Sequence, residues 1–163
     1  AERGKAPGQI VEEIATRGKK FITLPYTVKG MDLSFSGLLT AAVSLLQAKK
    51  ARLEDICFSF QETIFSMLTE VTERALAHTE KSEILLTGGV AANKRLQSML
   101  RIMAEEHDTK FSVVPKEYST DNGAMIAWTG ILNFKHGFSI PIKQSYVKLK
   151  WRLDNVEVPW VEI

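Results

Sequence analysis

Two short stretches hold the residues best suited to chemistry: ILLTGGVAANKRL at 84–96 and STDNGAMIAWTG at 119–130. In the first, Ile84, Leu85 and Leu86 read as a buried strand end. Gly88 and Gly89 lack Cβ, so a ligand can approach the backbone and the turn can take positive φ. Asn93 follows near the first turn of a helix. Its amide both donates and accepts, which suits a sugar hydroxyl or a purine edge. A helix start also offers unpaired N–H groups and a positive dipole end. The plain alternative is a strand–helix turn with no ligand, and a bare glycine pair does not exclude it. In the second stretch Ser119, Thr120 and Asp121 are all good N-cap residues, and Ala124, Met125, Ile126 and Trp128 start an apolar helix. Locally, Asp121 reads first as a cap. A carboxylate at a strand-to-helix junction is also where an α/β fold places a metal ligand or a ligand-contacting group.

The other chemistry-bearing side chains do not group. His78, His107 and His136 form no HxxxH or HExxH pair, so the chain holds no complete metal motif. Cys57 has no CxxC partner, and its apolar neighbours mark it as a buried structural thiol. Phe35, Phe60 and the tryptophans lack interleaved Lys and Arg, so core packing is a stronger reading than a base-stacking platform. Lys49, Lys50 and Arg52 read as a solvated helix end. Lys143, Lys148, Lys150 and Arg152 are ambiguous.

The elements that must position these residues follow from periodicity. Pro7 and Gly8 lead into a short helix over 7–18, with Gly18 as its stop. A strand is expected over 20–25. Alternation around Met31, Leu33 and Phe35 fits a strand or hairpin over 28–37, and a helix follows over 37–49. The longest helical pattern runs over 53–78. Phe60, Ile64, Met67, Val71 and Ala75 recur on one face, with Glu62, Glu70, Glu73 and Arg74 on the rest. Then come a strand over 84–87, a helix over 91–106 with Leu96, Met99, Leu100 and Met103 buried, a strand over 110–114 and a helix over 121–134. This order predicts parallel α/β pairing. The stretch from Gly137 is strand-poor and carries prolines.

Composition sets the outer bounds. The chain has 163 residues, is 45% hydrophobic and carries a net charge of +2. That suits one domain, or half of a larger one, with a real core and no strongly basic field. One cysteine allows no intrachain disulfide and fits a reduced, cytoplasmic setting. No apolar run is long enough to span a bilayer. The opening AERGKAPG reads as the middle of a protein, so a fragment or processed product is expected.

LPYTVKGMDLSFSGLLTA, SFQETIFSMLTEVTERALAH, LLTGGVAANKRL, STDNGAMIAWTG and WRLDNVEVPWV together resemble one family, in order and over essentially the whole chain. It is the family of tRNA N6-adenosine threonylcarbamoyltransferases: bacterial TsaD and the catalytic subunit of the KEOPS complex, formerly known as O-sialoglycoprotein endopeptidases. The wording is most similar to archaeal members. The resemblance implies an α/β fold of the actin/Hsp70/sugar-kinase (ASKHA) type, this chain forming one half of a two-domain nucleotide cleft. It implies division into 1–36, the start of the C-terminal half with a ribose-side helix; 37–136, an α/β subdomain with the adenosine turn and metal-ligand helix; and 137–163, a tail.

The resemblance also implies a reaction. A threonylcarbamoyl group passes from threonylcarbamoyl-adenylate, made by a separate synthase, to N6 of the tRNA adenosine beside the anticodon, releasing AMP. By the same resemblance Asp121 is a ligand of a divalent metal, iron or zinc. Asn93 contacts the adenylate, Gly8 and Glu12 lie at the ribose end, and Gly88 and Gly89 form the turn beside the purine of an adenylate or ATP-type nucleotide. Implied partners are tRNA and KEOPS-type subunits including a small kinase, with no membrane. The family's HxxxH metal pair, first phosphate segment and GEAxD block lie upstream of the part seen, so this piece is not expected to work alone. Competing readings are a phosphotransferase of the same fold and a non-catalytic half-domain that scaffolds KEOPS partners.

Overall fold

The computed structural model describes residues 6–152 and 155–160. The chain divides into two compact units, Ala1–Ser119 and Thr120–Ile163.

The first unit is organised around one long helix, α3 (Leu53–Thr79), 27 residues in length. Before it come α1 (Pro7–Ala15), a two-stranded hairpin of β1 (Val28–Lys29) and β2 (Asp32–Leu33), and α2 (Ser36–Gln47). After it come β3 (Glu83–Leu86), a single 3-10 turn over Gly89–Ala92, α4 (Lys94–Glu106) and β4 (Lys110–Val113). Strands β3 and β4 pair in parallel, with Ile84 opposite Phe111 and Leu86 opposite Val113. A parallel pair needs a crossover between its strands, and α4 is that crossover. The expected strand–helix–strand order therefore stands.

Helix α3 does more than the single apolar face expected of it. Met67 packs with Leu24 and Leu38, and with Phe60 and Ile64 beside them, under the hairpin and α2. On another side Phe65 and Leu76 pack with Leu96, Leu100 and Met103 of α4 and with Ile84, Leu86 and Phe111 of the parallel pair. The helix is a central layer with a core on two sides. This is why Phe65 and Leu76, outside the expected stripe, are among its buried residues.

The strand expected over 20–25 is not one. The segment pairs with no other strand, and α3 side chains supply acceptors that a neighbouring strand would otherwise give. The Asp55 carboxylate accepts the N–H groups of Lys19 and Lys20 at 2.8 and 3.0 Å, and Ser59 Oγ accepts that of Ile22 at 2.8 Å. Ser59 in turn donates to the Asp55 carbonyl, and Thr63 to the Ser59 carbonyl. Asp55, Ser59 and Thr63 thus form a buried polar row at helical spacing. The two backbone donors hold the Asp55 carboxyl below its ordinary value against the opposing effect of burial. Gly18 sits where a Cβ would lie 2.6 Å from the Glu54 carbonyl oxygen and against Phe58, so its role is close approach to α3 as well as ending α1.

The hairpin is fastened to α3 by a second polar chain. Tyr26 donates to Glu70, Glu70 accepts from Arg74, and Arg74 also donates to the Gly30 carbonyl at 2.7 Å. Burial and the Glu70 carboxylate push the Tyr26 phenol up to about 12. Cys57 is buried, as expected, and burial raises its thiol pKa.

The second unit contains α5 (Gly123–Lys135) and a 3-10 turn over Ile142–Gln144. None of the α5 residues is buried, and Ile126, Trp128 and Phe134 are largely exposed. The core-packing expectation for the tryptophans fails at Trp128 and Trp151, both mostly exposed. His136 and Trp160 bring their rings to 6.1 Å. Among the described residues no helix is long and apolar enough to cross a membrane.

Candidate functional site

A pocket of about 420 Å³ opens where α1, α3 and the start of α4 meet. Glu12, Ala15 and Thr16 line it from α1 and its end, Phe58, Gln61 and Glu62 from α3, and Lys94 and Arg95 from α4. The volume lies within the usual range for a small-molecule or cofactor site. Its lining mixes apolar Ala15 and Phe58 with polar and charged side chains. Glu62 and Arg95 form a two-pronged pair, with Arg95 Nε 2.8 Å and Nη2 2.7 Å from the two carboxylate oxygens. That hydrogen bonding raises the guanidinium pKa above its ordinary value. Glu12 and Lys94 are the remaining charges on the lining, an acceptor and a cation.

Asn93, next to Lys94 in sequence, is buried at 7% exposure. It is the N-cap of α4: its Oδ1 accepts the N–H of Arg95 at 2.9 Å and of Leu96 at 3.2 Å. Its Nδ2 donates to Gln61 Oε1 at 3.1 Å. The helix thus begins at Lys94, and the residues before Asn93 form the separate 3-10 turn. Gly88 opens that turn with φ 99° and ψ 171°, a conformation essentially closed to residues with a Cβ. Gly89 has ordinary φ, and a Cβ there would meet nothing within 4 Å. Gly8 lies in the first turn of α1, four residues before Glu12 and so on the same side of the helix.

The structure therefore brings Glu12 together with the residues flanking Asn93 around one cavity. Gly8, Gly88, Gly89 and Asn93 itself are not part of its lining. Gln61, Glu62, Thr16, Lys94 and Arg95 were not legible as site residues. The available signal was the adjacent polar pair Gln61–Glu62 within α3.

Asp121 belongs to the second unit. It does not cap α5: the N-cap is Asn122, whose Oδ1 accepts the Met125 N–H at 2.8 Å. The plain reading of Asp121 as a helix cap is thereby overturned, and its exposed carboxylate is left outside the cap. Among the described residues no three His, Cys, Asp or Glu side chains gather closely enough to hold a metal ion. One exposed carboxylate fits a single ligand position and does not by itself make a site.

A parallel strand pair and its crossover helix, with a glycine turn between them, define an α/β protein. The fold is shared with the solved structure of Thermococcus kodakarensis HypF, at a TM-score of 0.64 and 21% identity over 83% of this chain and 18% of that one. The model of the family described as tRNA N6-adenosine threonylcarbamoyltransferase matches residues 2–128, and the chain belongs to that family. A curated relative of that name from Archaeoglobus fulgidus is 59% identical over 94% of this chain and 47% of its own length. One from Thermofilum pendens is 55% identical over 92% and 45%. A probable bifunctional tRNA threonylcarbamoyladenosine biosynthesis protein from Methanocaldococcus jannaschii is 56% identical over 95% of this chain and 29% of its own length. The chain spans about half the length of the first two relatives.

Proposed function

We propose that this chain is part of an enzyme that transfers threonylcarbamoyl from threonylcarbamoyl-adenylate to N6 of the tRNA adenosine beside the anticodon, and that its pocket takes the adenosine part of the adenylate. One observation carries the placement: Glu12 of α1 and the residues around Asn93 face a single cavity of nucleoside size. Glu12 offers carboxylate oxygens to ribose hydroxyls. Gly88 and Gly89 leave the entry to the neighbouring turn without side chains, so the purine can lie close to backbone there. Holding the adenylate fixes its carbonyl for attack by the amine, and proximity supplies a large share of such a rate enhancement.

Asp121 supplies one oxygen ligand to a divalent metal, iron or zinc, whose other ligands come from outside this chain. Such a metal polarises a carbonyl or phosphate oxygen when bound. The chain works with tRNA and with KEOPS-type partners, a small kinase included, in the cytoplasm. Support for these assignments comes from family membership, and for Asp121 also from the cap being taken by Asn122.

The experiment uses threonylcarbamoyl-adenylate labelled in its carbonyl carbon, a full-length protein that contains this chain, and unmodified tRNA. Label is expected in tRNA, with AMP released in equal amount. Release of AMP with no label in tRNA would contradict the transfer. Asp121→Ala is expected to lower bound metal and transfer together while the circular dichroism spectrum is kept; unchanged metal content would remove Asp121 from the ligand set.

A further inference from the structure

We infer that Gln61 is the residue that reads the nucleoside in this pocket, as a hydrogen-bond donor, and that Asn93 acts by holding Gln61 in that orientation. The inference rests on the reading that the pocket takes adenosine. Two backbone N–H groups, of Arg95 and Leu96, point at one atom of the Asn93 amide. That atom must be the oxygen, since an NH₂ cannot accept them. The Asn93 nitrogen is then turned to α3, where it lies 3.1 Å from the Gln61 side chain. It can only donate, so the Gln61 atom facing it must be Oε1. The Gln61 NH₂ is left over, on a residue that lines the pocket. No protein group among the described residues accepts from it.

The capping geometry of one helix therefore fixes the amide orientation of a residue on another. The donor it presents matches an acceptor on the nucleoside, a purine ring nitrogen or a ribose oxygen. Asn93 is buried, with its oxygen accepting two backbone N–H groups and one of its two N–H donors given to Gln61. Gln61, its hydrogen-bond partner, lines the cavity.

The test is isothermal titration of AMP into the full-length protein that contains this chain, carrying Gln61→Glu, Gln61→Met, Asn93→Ser, or Gln61→Met with Asn93→Ser, with folding followed by thermal melting. Gln61→Glu still accepts from Asn93 but presents a carboxylate oxygen in place of the donor. Gln61→Met keeps the length and removes both. Each is expected to weaken AMP binding about tenfold or more. Ser caps helices well, so Asn93→Ser keeps α4 while releasing Gln61. It is expected to weaken binding in the wild-type background and to add little to Gln61→Met, the coupling expected of residues acting as a unit. Wild-type affinity in a folded Gln61→Glu protein would overturn the inference while leaving the pocket reading intact. Additive effects of Asn93→Ser and Gln61→Met would overturn the positioning role. No AMP binding by the wild-type protein would overturn the adenosine reading, and the inference with it.

Discussion

At the scale of single residues, the adjacent glycines Gly88 and Gly89 have different reasons to be glycine. Gly88 holds a backbone conformation with φ 99° that disfavours any Cβ. Gly89 holds an ordinary one with open space where a Cβ would go. Gly88→Ala is expected to destabilise the chain by about 1–3 kcal/mol, read as a lower melting temperature. Gly89→Ala is expected to melt within a few degrees of wild type and to weaken nucleotide binding, because open space in the free chain is where the ligand would lie. Normal nucleotide affinity in Gly89→Ala would remove that turn from the site. The same contrast separates Asp121 from Asn122. Both types favour N-caps, and spacing alone does not say which is used. The Asn122 side chain makes the cap bond, which leaves the aspartate available for other work.

At the scale of elements, α3 decides most of the fold, and its buried polar row shows how. Asp55, Ser59 and Thr63 lie on the side where the chain after α1 runs past without a strand partner. Asp55 is ionised below the ordinary value of 3.8 because it accepts two backbone N–H groups. A carboxyl lowered in the folded state stabilises above its unfolded pKa, and that stabilisation is lost as pH falls through the folded value. The stability difference between wild type and Asp55→Asn is therefore expected to be constant at neutral pH and to shrink as pH falls below 3.8. Chemical denaturation at stepped pH measures it, and a difference that grows on acidification would contradict the assignment. Amphipathic helices and the parallel strands β3 and β4 were legible because periodicity reports one buried face at a time. The second core face of α3 was not, since a helix buried on two sides blurs its own stripe. The segment over 20–25 has strand-like composition, but composition does not show that its partner is a helix. Asn93 was legible as a polar residue at a helix start. Gln61 was not, because its role comes from an amide 32 residues away in sequence.

At the scale of the whole molecule, the proposed function makes this chain one wall of a site. The first unit holds the pocket; the second holds Asp121 at the start of an apolar helix none of whose residues is buried. The relatives from Archaeoglobus fulgidus and Thermofilum pendens are about twice the length matched here, which fits a site that draws further ligands from elsewhere in a longer protein. The proposed function requires the adenosine of the adenylate to lie between α1, α3 and α4. Photolabelling with 8-azido-AMP tests this directly. Labelled peptides are expected from the turn and helix around Gly8–Gly18, the α3 segment around Phe58–Glu62 and the stretch Gly88–Leu96, with labelling suppressed by excess AMP. Competable labelling confined to other peptides would contradict it.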